Sequence, residues 1–554
     1  MKTLFNKIVM VVFGVGGMTI QCIAQPDRDL VFEYAPVTIS DVVIKTTVAP
    51  IAGSGLFIGE TSGWYNPGGR THTKSFVTSL IAPANGRTQV SQNISFPEFT
   101  QYDDFVKAVN DPSGNVYAGG KYHFSTVYGT DAVLIKYNSS MAEVWRRYSF
   151  SPGTGSPYSD VTTDVFAINN SIYWLGKRQE TGTFLIKYTD AGLSQFDIIL
   201  SNIEPAKVVA NAAGDVYVLG SNYSATSGQQ IVLVKLNSSG VIVWKKYFNA
   251  AAGLLNDNPV SLGLDNSGNI LFTSGSERSS GNLDAYIVKY NSGGVKQWNK
   301  YINGSANGND VAGKFAVDAS DNVYVAHTVL DLNSGVQNSN IFLRKYSPTG
   351  ATLATRYYKG SANANDEAIG IFYTNTGRIY MGGISKGTTG RSVVAQYDLS
   401  LVLEYTDIIT HPIAPDWDVV SYGIYGQDFV IDPVNRSLYW VGRKEEVYPD
   451  YLDYLNVPVI LKYTYPAVPR LANDAESISM TMYPNPASDQ VEIRSSGEIV
   501  KLEVFDQSGR LIWQEEETNE SSLLLDIQVW RNGVYLVRLT DEDGMVQTAK
   551  LVKE

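Results

Sequence analysis

A carboxylate recurs at one position of a repeating pattern in this chain of 554 residues. Each acid lies 13 or 14 residues before an aromatic or large apolar residue that the repeats share: Asp104, Asp160, Glu204, Asp257, Asp310 and Asp366. Asp41 and Asp418 are counterparts at looser spacing. Carboxylates arranged in a ring could bind Ca²⁺, and single carboxylates commonly accept backbone N–H groups in turns. Because a fold requirement repeats and a catalytic site normally does not, the pattern favours the structural role.

Aromatic residues outside the repeating pattern are the candidates for ligand binding. Trp64 and Tyr65 lie in the segment GWYNPGG, which is predicted to be a loop, and Trp417 lies between Asp416 and Asp418. Flat rings beside carboxylates suit a glycan or a surface protein. The insertion KEEVYPDYLDYLN is acidic and rich in tyrosine, and it is predicted to be a solvated loop on one face of the fold.

The sequence contains no catalytic motif in the context that the motif requires. Its histidines show neither HxH nor HExxH spacing: His72, His123, His327 and His411. The GxSxG string at residues 383–387 leaves a strand for a loop, whereas a nucleophile elbow opens a helix. No catalytic residue is therefore assigned, although a Ser-His-Asp arrangement assembled in space stays open.

The elements that must position these residues are short strands in a repeat of about 50 residues. The second strand recurs as NVYAGG, DVYVLG and RIYMGG, the third as LIKYNSS and IVKYNSGG, and the fourth as VWRRY and VWKKY. A four-stranded unit cannot bury both its faces alone, whereas radial stacking buries them. The sequence therefore predicts an all-β chain with a β-propeller over residues 25–466. Eight blades are expected, with seven as the alternative.

The two ends of the propeller are predicted to close on each other. The last repeat stops after its third strand, and the first is preceded by an unassigned strand, LVFEYAPVT, at residues 30–38. This segment is expected to pair as the outer strand of the last blade, which would remove an open sheet edge.

The N-terminus reads as a secretory signal peptide over residues 1–24. Lys2 and Lys7 precede an apolar run that is too short to span a bilayer, and small residues precede a cleavage site before Gln25. The only cysteine, Cys22, lies within the signal peptide, so no disulfide is expected in the mature chain. No transmembrane segment is expected there either, because no other long apolar stretch occurs. The formal net charge of -12 disfavours nucleic acid as a partner.

A different composition begins after a linker at residues 467–479. Residues 480–554 contain seven candidate strands with alternating apolar residues, which predicts a small Ig-like β-sandwich. The motifs Tyr483-Pro484-Asn485-Pro486, Gly533-Val534-Tyr535 and the basic ending at Lys550 and Lys553 occur in order. With these motifs the segment resembles the type A C-terminal sorting domain of the Bacteroidota type IX secretion (Por secretion) system. The resemblance implies Sec export, handling by the type IX machinery, and release or attachment at the cell surface.

The repeats also resemble secreted bacterial β-propeller repeats of the SBBP type, which carry a similar pair of second and third strands. Two functions follow as hypotheses. The first is a secreted or surface-attached binding or adhesion protein, and the alternative is a hydrolase or lyase acting on an extracellular polymer. The polar residues mostly repeat from unit to unit, which favours binding, and Ca²⁺ is the one cofactor considered.

Overall fold

A computed structural model of the chain consists of strands and turns throughout the part that it describes. The described residues are 27–33, 45–51, 55–66, 70–81, 89–90, 104–125, 129–139, 142–149, 159–251, 255–279, 281–333, 336–360, 365–386, 390–409, 420–432, 437–448, 453–464, 480–506, 510–541 and 546–554. No helix in these ranges is long and apolar enough to cross a membrane.

Strands β1 to β17 form the first half of the chain. In order they are Asp27–Glu33, Lys45–Ile51, Gly55–Asn66, Arg70–Ile81, Gln89–Val90, Asp104–Asn110, Val116–Ser125, Gly129–Tyr137, Glu143–Ser149, Val161–Ile168, Ser171–Arg178, Gly182–Thr189, Ser194–Leu200, Glu204–Ala210, Val216–Ser224, Gly228–Leu236 and Ile242–Phe248.

Strands β18 to β37 form the second half. In order they are Leu255–Leu264, Ile270–Ser279, Asn282–Tyr290, Lys296–Ile302, Phe315–Val317, Val323–Asn333, Val336–Tyr346, Thr352–Tyr358, Asn365–Thr374, Arg378–Lys386, Gly390–Tyr397, Leu403–Ile409, Val420–Asp432, Ser437–Tyr448, Asp453–Thr464, Met480–Tyr483, Gln490–Phe505, Leu511–Asp526, Gly533–Asp541 and Val546–Lys553.

Strands β1–β32 form a β-propeller. The described strands make eight four-stranded antiparallel blades: β2–β5, β6–β9, β10–β13, β14–β17, β18–β21, β22–β25, β26–β29, and β30–β32 completed by β1. The innermost strand of the first blade, β2, contacts both β6 of the second blade and β30 of the last. The blades therefore close into a ring, and the alternative of seven blades is wrong.

Strand β1 supplies the outer strand of the last blade. It pairs antiparallel with β32, from Asp27 opposite Thr464 to Glu33 opposite Val459, with an irregularity between Leu30 and Phe32. The segment expected to make this pairing was residues 30–38, so the strand that forms begins three residues earlier. This pairing joins the two ends of the propeller through backbone hydrogen bonds.

The core lies between neighbouring blades. In β15, Val216 and Val218 pack toward the third blade, whereas Tyr217 and Leu219 pack toward the fifth. Successive residues of a strand point to opposite sides of the sheet, and both sides of a blade are covered. This is why the inner strands read as nearly continuous apolar runs.

The lysine and tryptophan of the repeat connect neighbouring blades. Lys289 Nζ and Trp298 Nε1 of the fifth blade both donate to the carbonyl oxygen of Pro348, in the turn between the third and fourth strands of the next blade, at 3.1 and 3.0 Å. Trp145 makes the same contact with Asp190, at 2.9 Å. The recurrence of these residue types is therefore explained by packing between blades.

The described residues of two segments that were predicted to be loops lie in strands. Trp64 and Tyr65 lie in β3, which pairs with β4 as far as Asn66 opposite Arg70. The acidic insertion extends the β31–β32 hairpin to Tyr448 opposite Asp453. The loop prediction is wrong at these positions because polar and aromatic residues that continue an existing hairpin can satisfy their backbone groups by pairing with each other.

Strands β33–β37 form a second compact unit. Five strands form where seven were expected, because β34 and β35 each join two of the predicted segments and shift register near their middle. Buried residues from both halves of these strands, such as Val491 and Leu525 on one side and Leu502 and Val537 on the other, share one core. This folded-over sheet agrees with a small sandwich domain.

Candidate functional site

The repeated acids lie at one end of the propeller, where the innermost strands begin. We call this end the upper face. Asp104 and Glu204 are the first residues of β6 and β14, Asp366 is the second residue of β26, and Asp160 directly precedes β10. The turns between second and third strands lie at the same end, because strand pairing is antiparallel.

Most of these carboxylates accept backbone N–H groups. Asp310 accepts from Leu330 at 2.7 Å and from Gly304 at 2.9 Å. Asp366 accepts from Gly360 at 2.8 Å, and Asp160 accepts from Gln179 at 3.1 Å. A carboxylate in such a position ties the connection from one blade to the innermost strand of the next.

Glu204 occupies the same repeat position but is exposed, and it forms an ion pair with Lys177. The side chain of Asp104 lies outside the described part of the structure, as do the residues Asp41, Asp416, Trp417 and Asp418. Trp64 and Tyr65 are placed in β3 by their backbone alone. Their assignment to ligand binding stays a prediction.

Burial raises the pKa of three of the repeated acids, Asp257, Asp310 and Asp366. Asp257 and Asp310 are each 2% exposed, and desolvation raises the pKa of both to about 6. Hydrogen bonds from Ser276 and the Ala250 backbone lower the pKa of Asp257 and so oppose this effect.

Third-strand acids were not predicted from the sequence. Asp131 and Asp284 lie six residues before the aligned tyrosine of the third strand, in TDAVLIKY and LDAYIVKY. Burial, and then the charge of Asp160, raise the pKa of Asp131 to about 6. The shared Asp-Ala pair was the signal that could have identified them.

Two residues from the discounted catalytic motifs lie within strands of the propeller. His327 is fully buried in β23, where its Nδ1 accepts the Gly313 N–H at 2.9 Å. Ser385 lies within β27 opposite Asp366 rather than at a turn into a helix. Among the residues that the structure describes, no three His, Cys, Asp or Glu side chains are grouped so that they could hold a metal ion.

The sorting motifs meet at the edge of the second unit. Asn485 accepts the Val552 N–H at 2.9 Å and donates to the Lys550 carbonyl at 2.7 Å, which joins the first motif to the basic ending. Tyr535 donates to the Arg531 carbonyl at 2.6 Å, whereas Tyr483 is 79% exposed. The motifs therefore hold the last strand in place and leave one aromatic side chain exposed.

Residues 481–554 match the family model of the secretion system C-terminal sorting domain. This domain directs type IX secretion, so its presence delivers the chain to the cell surface or the extracellular space. No curated protein matches the chain significantly.

Two solved β-propellers and a polysaccharide lyase align with the chain at low identity. The Dos1 propeller is 10% identical with a TM-score of 0.46, over 79% of this chain and 95% of that one. The propeller domain of the trilobed protease from Pyrococcus furiosus is 8% identical with a TM-score of 0.37, over 64% and 98%. A PL25 ulvan lyase is 9% identical with a TM-score of 0.34, over 60% and 88%. At these values the likenesses carry no argument about activity or ligand.

Proposed function

We propose that this chain, which ends in a secretion system C-terminal sorting domain, is a binding or adhesion protein that acts at the cell surface or after release. The propeller presents the upper face to an extracellular glycan or surface protein, and type IX secretion places it there. The choice of binding over catalysis rests on the lengths of the hairpins and on what the polar residues of the propeller contact.

The observation that carries the proposal is a pair of long hairpins in neighbouring blades. Strands β3 and β4 of the first blade and β31 and β32 of the last have 12 residues each. The corresponding strands have 11 residues in the sixth blade, β23 and β24, and eight in the third, β11 and β12. The first and last blades are neighbours because β2 contacts β30. Both hairpins connect second and third strands, so both extend from the upper face and form a projecting rim there.

The repeated polar groups support binding over catalysis. Asp310 and Asp366 accept backbone N–H groups, and the lysine and tryptophan of the repeat donate to carbonyl oxygens of the next blade. In these contacts the polar side chains hold the strands and their connections in place. Residues that depart from the repeat, such as Trp64 and Tyr65 on the first long hairpin, are the ones left for recognition.

A glycan array and an assay for released reducing sugars or unsaturated products, run on the same secreted protein, test this proposal. Trp64→Ala and Tyr65→Ala are expected to weaken array binding about tenfold, because aromatic anchors dominate binding energies. The control is Tyr223→Ala, which removes an exposed aromatic ring from the upper end of the fourth blade.

Three results would count against the proposal. Turnover that a single upper-face substitution abolishes would show a hydrolase or lyase. Retention of binding in the Trp64 and Tyr65 variants would place recognition elsewhere. A chain without residues 480–554 that still reaches the cell surface would remove the export premise.

A further inference from the structure

A row of polar side chains crosses the upper end of the fifth blade. Asp257 of β18 lies opposite Ser276 of β19, and Ser276 lies opposite Asp284 of β20. Asn303 follows β21 directly and is level with Asp284, because Ala285 pairs with Ile302 in the adjoining position. Residues opposite each other on neighbouring strands project from the same side of a sheet. The blade therefore lines up oxygen-bearing side chains from three strands, with Asn303 at the end of the row.

Several oxygens of this row accept no hydrogen bond. Asp284 is fully buried, and within the described residues neither of its carboxylate oxygens has a hydrogen-bond partner. Asp257 Oδ1 and Asn303 Oδ1 are likewise buried and unpaired in that part of the chain. Asn303 donates its amide group to Asn307 Oδ1, at 2.7 Å, which leaves its carbonyl oxygen as an acceptor. Buried acceptors without partners are rare in folded proteins, so this group indicates a bound species.

The charge at the row is negative. Arg278 faces Asp284, but its Nη1 lies 3.6 Å from Oδ2, which is longer than a hydrogen bond, and its guanidinium group lies 4.1 Å from the centre of the Tyr301 ring. Asp310 adds a third carboxylate nearby, since its backbone N–H donates to the Leu283 carbonyl at 2.7 Å. Asp284 thus has one guanidinium group beside it and a further carboxylate, Asp310, nearby, and the surplus negative charge favours a cation.

The sixth blade fills the same position differently. Asn340 is the counterpart of Asp284, and its amide donates to Asp331 Oδ2 at 3.1 Å. The other oxygen of Asp331 accepts the Ser305 N–H at 2.9 Å. The sixth blade thus pairs an amide with a carboxylate whose oxygens are both satisfied, whereas in the fifth blade Arg278 takes the position of Asp331 and stays 3.6 Å from Asp284.

We propose that the fifth blade binds one Ca²⁺ ion through Asp284 and Asp257, with neutral oxygens of Asn303 and Ser276 completing the protein ligands. Ca²⁺ accepts six to eight oxygen ligands, including carboxylates, amide carbonyls and water, and it tolerates irregular geometry. A larger ligand would have to displace Arg278 to reach a fully buried carboxylate, whereas a small cation would not. The ion links strands β18, β19 and β20 at the upper face. This site does not depend on the proposed binding function.

Calcium titration of the secreted full-length protein, after treatment with a chelator, tests the proposal. We expect one Ca²⁺ per chain by isothermal titration calorimetry and a melting temperature that rises with Ca²⁺ concentration. Tb³⁺, which replaces Ca²⁺, should luminesce on excitation of tyrosine, because Tyr286 lies two residues from Asp284 on the same side of β20. Asp284→Asn should weaken binding by about tenfold or more, since ligand charge sets the affinity of such sites.

The matched control is Asp310→Asn, which removes the same charge beside the row from a carboxylate whose two oxygens already accept backbone N–H groups. Because Asp310 contributes charge but no ligand oxygen, this variant should still bind one Ca²⁺ per chain and should lose less affinity than Asp284→Asn. In chelator, Asp284→Asn should melt higher than the wild type, because it removes a buried carboxylate whose two oxygens accept no hydrogen bond within the described residues.

Absence of calcium binding to the wild type would overturn the proposal and leave water or a proton at Asp284. Calcium binding that survives Asp284→Asn would overturn it as well, by placing the ion elsewhere. If Asp284→Asn does not fold, Asn303→Ala gives the same test, and loss of affinity in that variant supports the site while full affinity contradicts it.

Discussion

A carboxylate at the repeated position takes its role from the groups around it. Asp310 is buried and accepts the N–H groups of Leu330 and Gly304, whereas Glu204, at the same repeat position, is exposed and contacts Lys177. A buried donor that loses its acceptor pays the cost of desolvation, and an exposed ion pair contributes little. The two positions should therefore respond very differently to truncation.

We expect Asp310→Ala to lower the free energy of unfolding by about 2 kcal/mol or more, because two buried N–H groups lose their acceptor. Glu204→Ala should change it by less than about 0.5 kcal/mol. Urea unfolding of both variants measures the difference. Equal losses in the two variants would contradict a structural role for the buried acid.

The buried imidazole of His327 makes stability depend on pH. Desolvation, and then the charge of Arg344, lower the pKa of His327 to about 3, from an ordinary value of 6.5. The unfolded chain therefore binds a proton between these values that the folded chain does not. The stabilisation is complete above pH 6.5 and is lost progressively as the pH falls toward 3.

Between pH 7 and pH 5 the wild type should lose about 2 kcal/mol of unfolding free energy through His327. His327→Asn keeps a side-chain acceptor for Gly313 and removes the titrating group. Buried acids such as Asp257, whose pKa is raised to about 6, act in the opposite direction in both proteins. The difference between the two proteins isolates His327, and identical pH profiles from urea unfolding would show that its protonation is not linked to folding.

At the scale of the element, glycines in the second strands let the innermost strand approach. A Cβ added at Gly220 would lie 2.4 Å from the Glu204 carbonyl oxygen, where β14 shifts register between Pro205 and Lys207. A Cβ added at Gly275 of β19 would meet nothing within 4 Å. Neither residue has a positive φ, so the two sites differ in the room available for a Cβ atom and not in backbone conformation.

Gly220→Ala should cost about 2 kcal/mol, because backbone atoms must move to admit the methyl group. Gly275→Ala should be neutral within about 0.5 kcal/mol. Thermal and urea unfolding of the pair measure both effects. A Gly220→Ala protein as stable as Gly275→Ala would mean that the innermost strand can move away at little cost.

The strands could be predicted from the sequence because both sides of each blade are buried. The same residue types therefore recur at the same strand position in each repeat, as Tyr217 and Tyr324 do. The different surroundings of Asp310 and Glu204 were not predictable, because they depend on whether the connection from the preceding blade folds back, as it does at Gly304. The lengths of the β3–β4 and β31–β32 hairpins were also missed. Polar and aromatic residues extend those strands, and no apolar alternation marks where they end.

At the scale of the whole molecule, the ring depends on one strand from the far end of the chain. Strand β1 covers the edge of β32 that would otherwise present unpaired backbone groups. Since β2 contacts β30, the last blade also supports the first. Loss of β1 should therefore weaken the closure of the ring as well as the eighth blade.

Deletion of residues 26–38 should lower the melting temperature by about 5–10 °C and should promote association through the open edge of β32. A synthetic peptide of residues 26–38, added in excess, should restore part of the melting temperature and suppress association in size-exclusion chromatography. A scrambled peptide of the same composition is the control. If the deleted protein melts like the intact one and stays monomeric, then the pairing of β1 with β32 contributes nothing to closure, and the ring must be held by contacts between innermost strands alone.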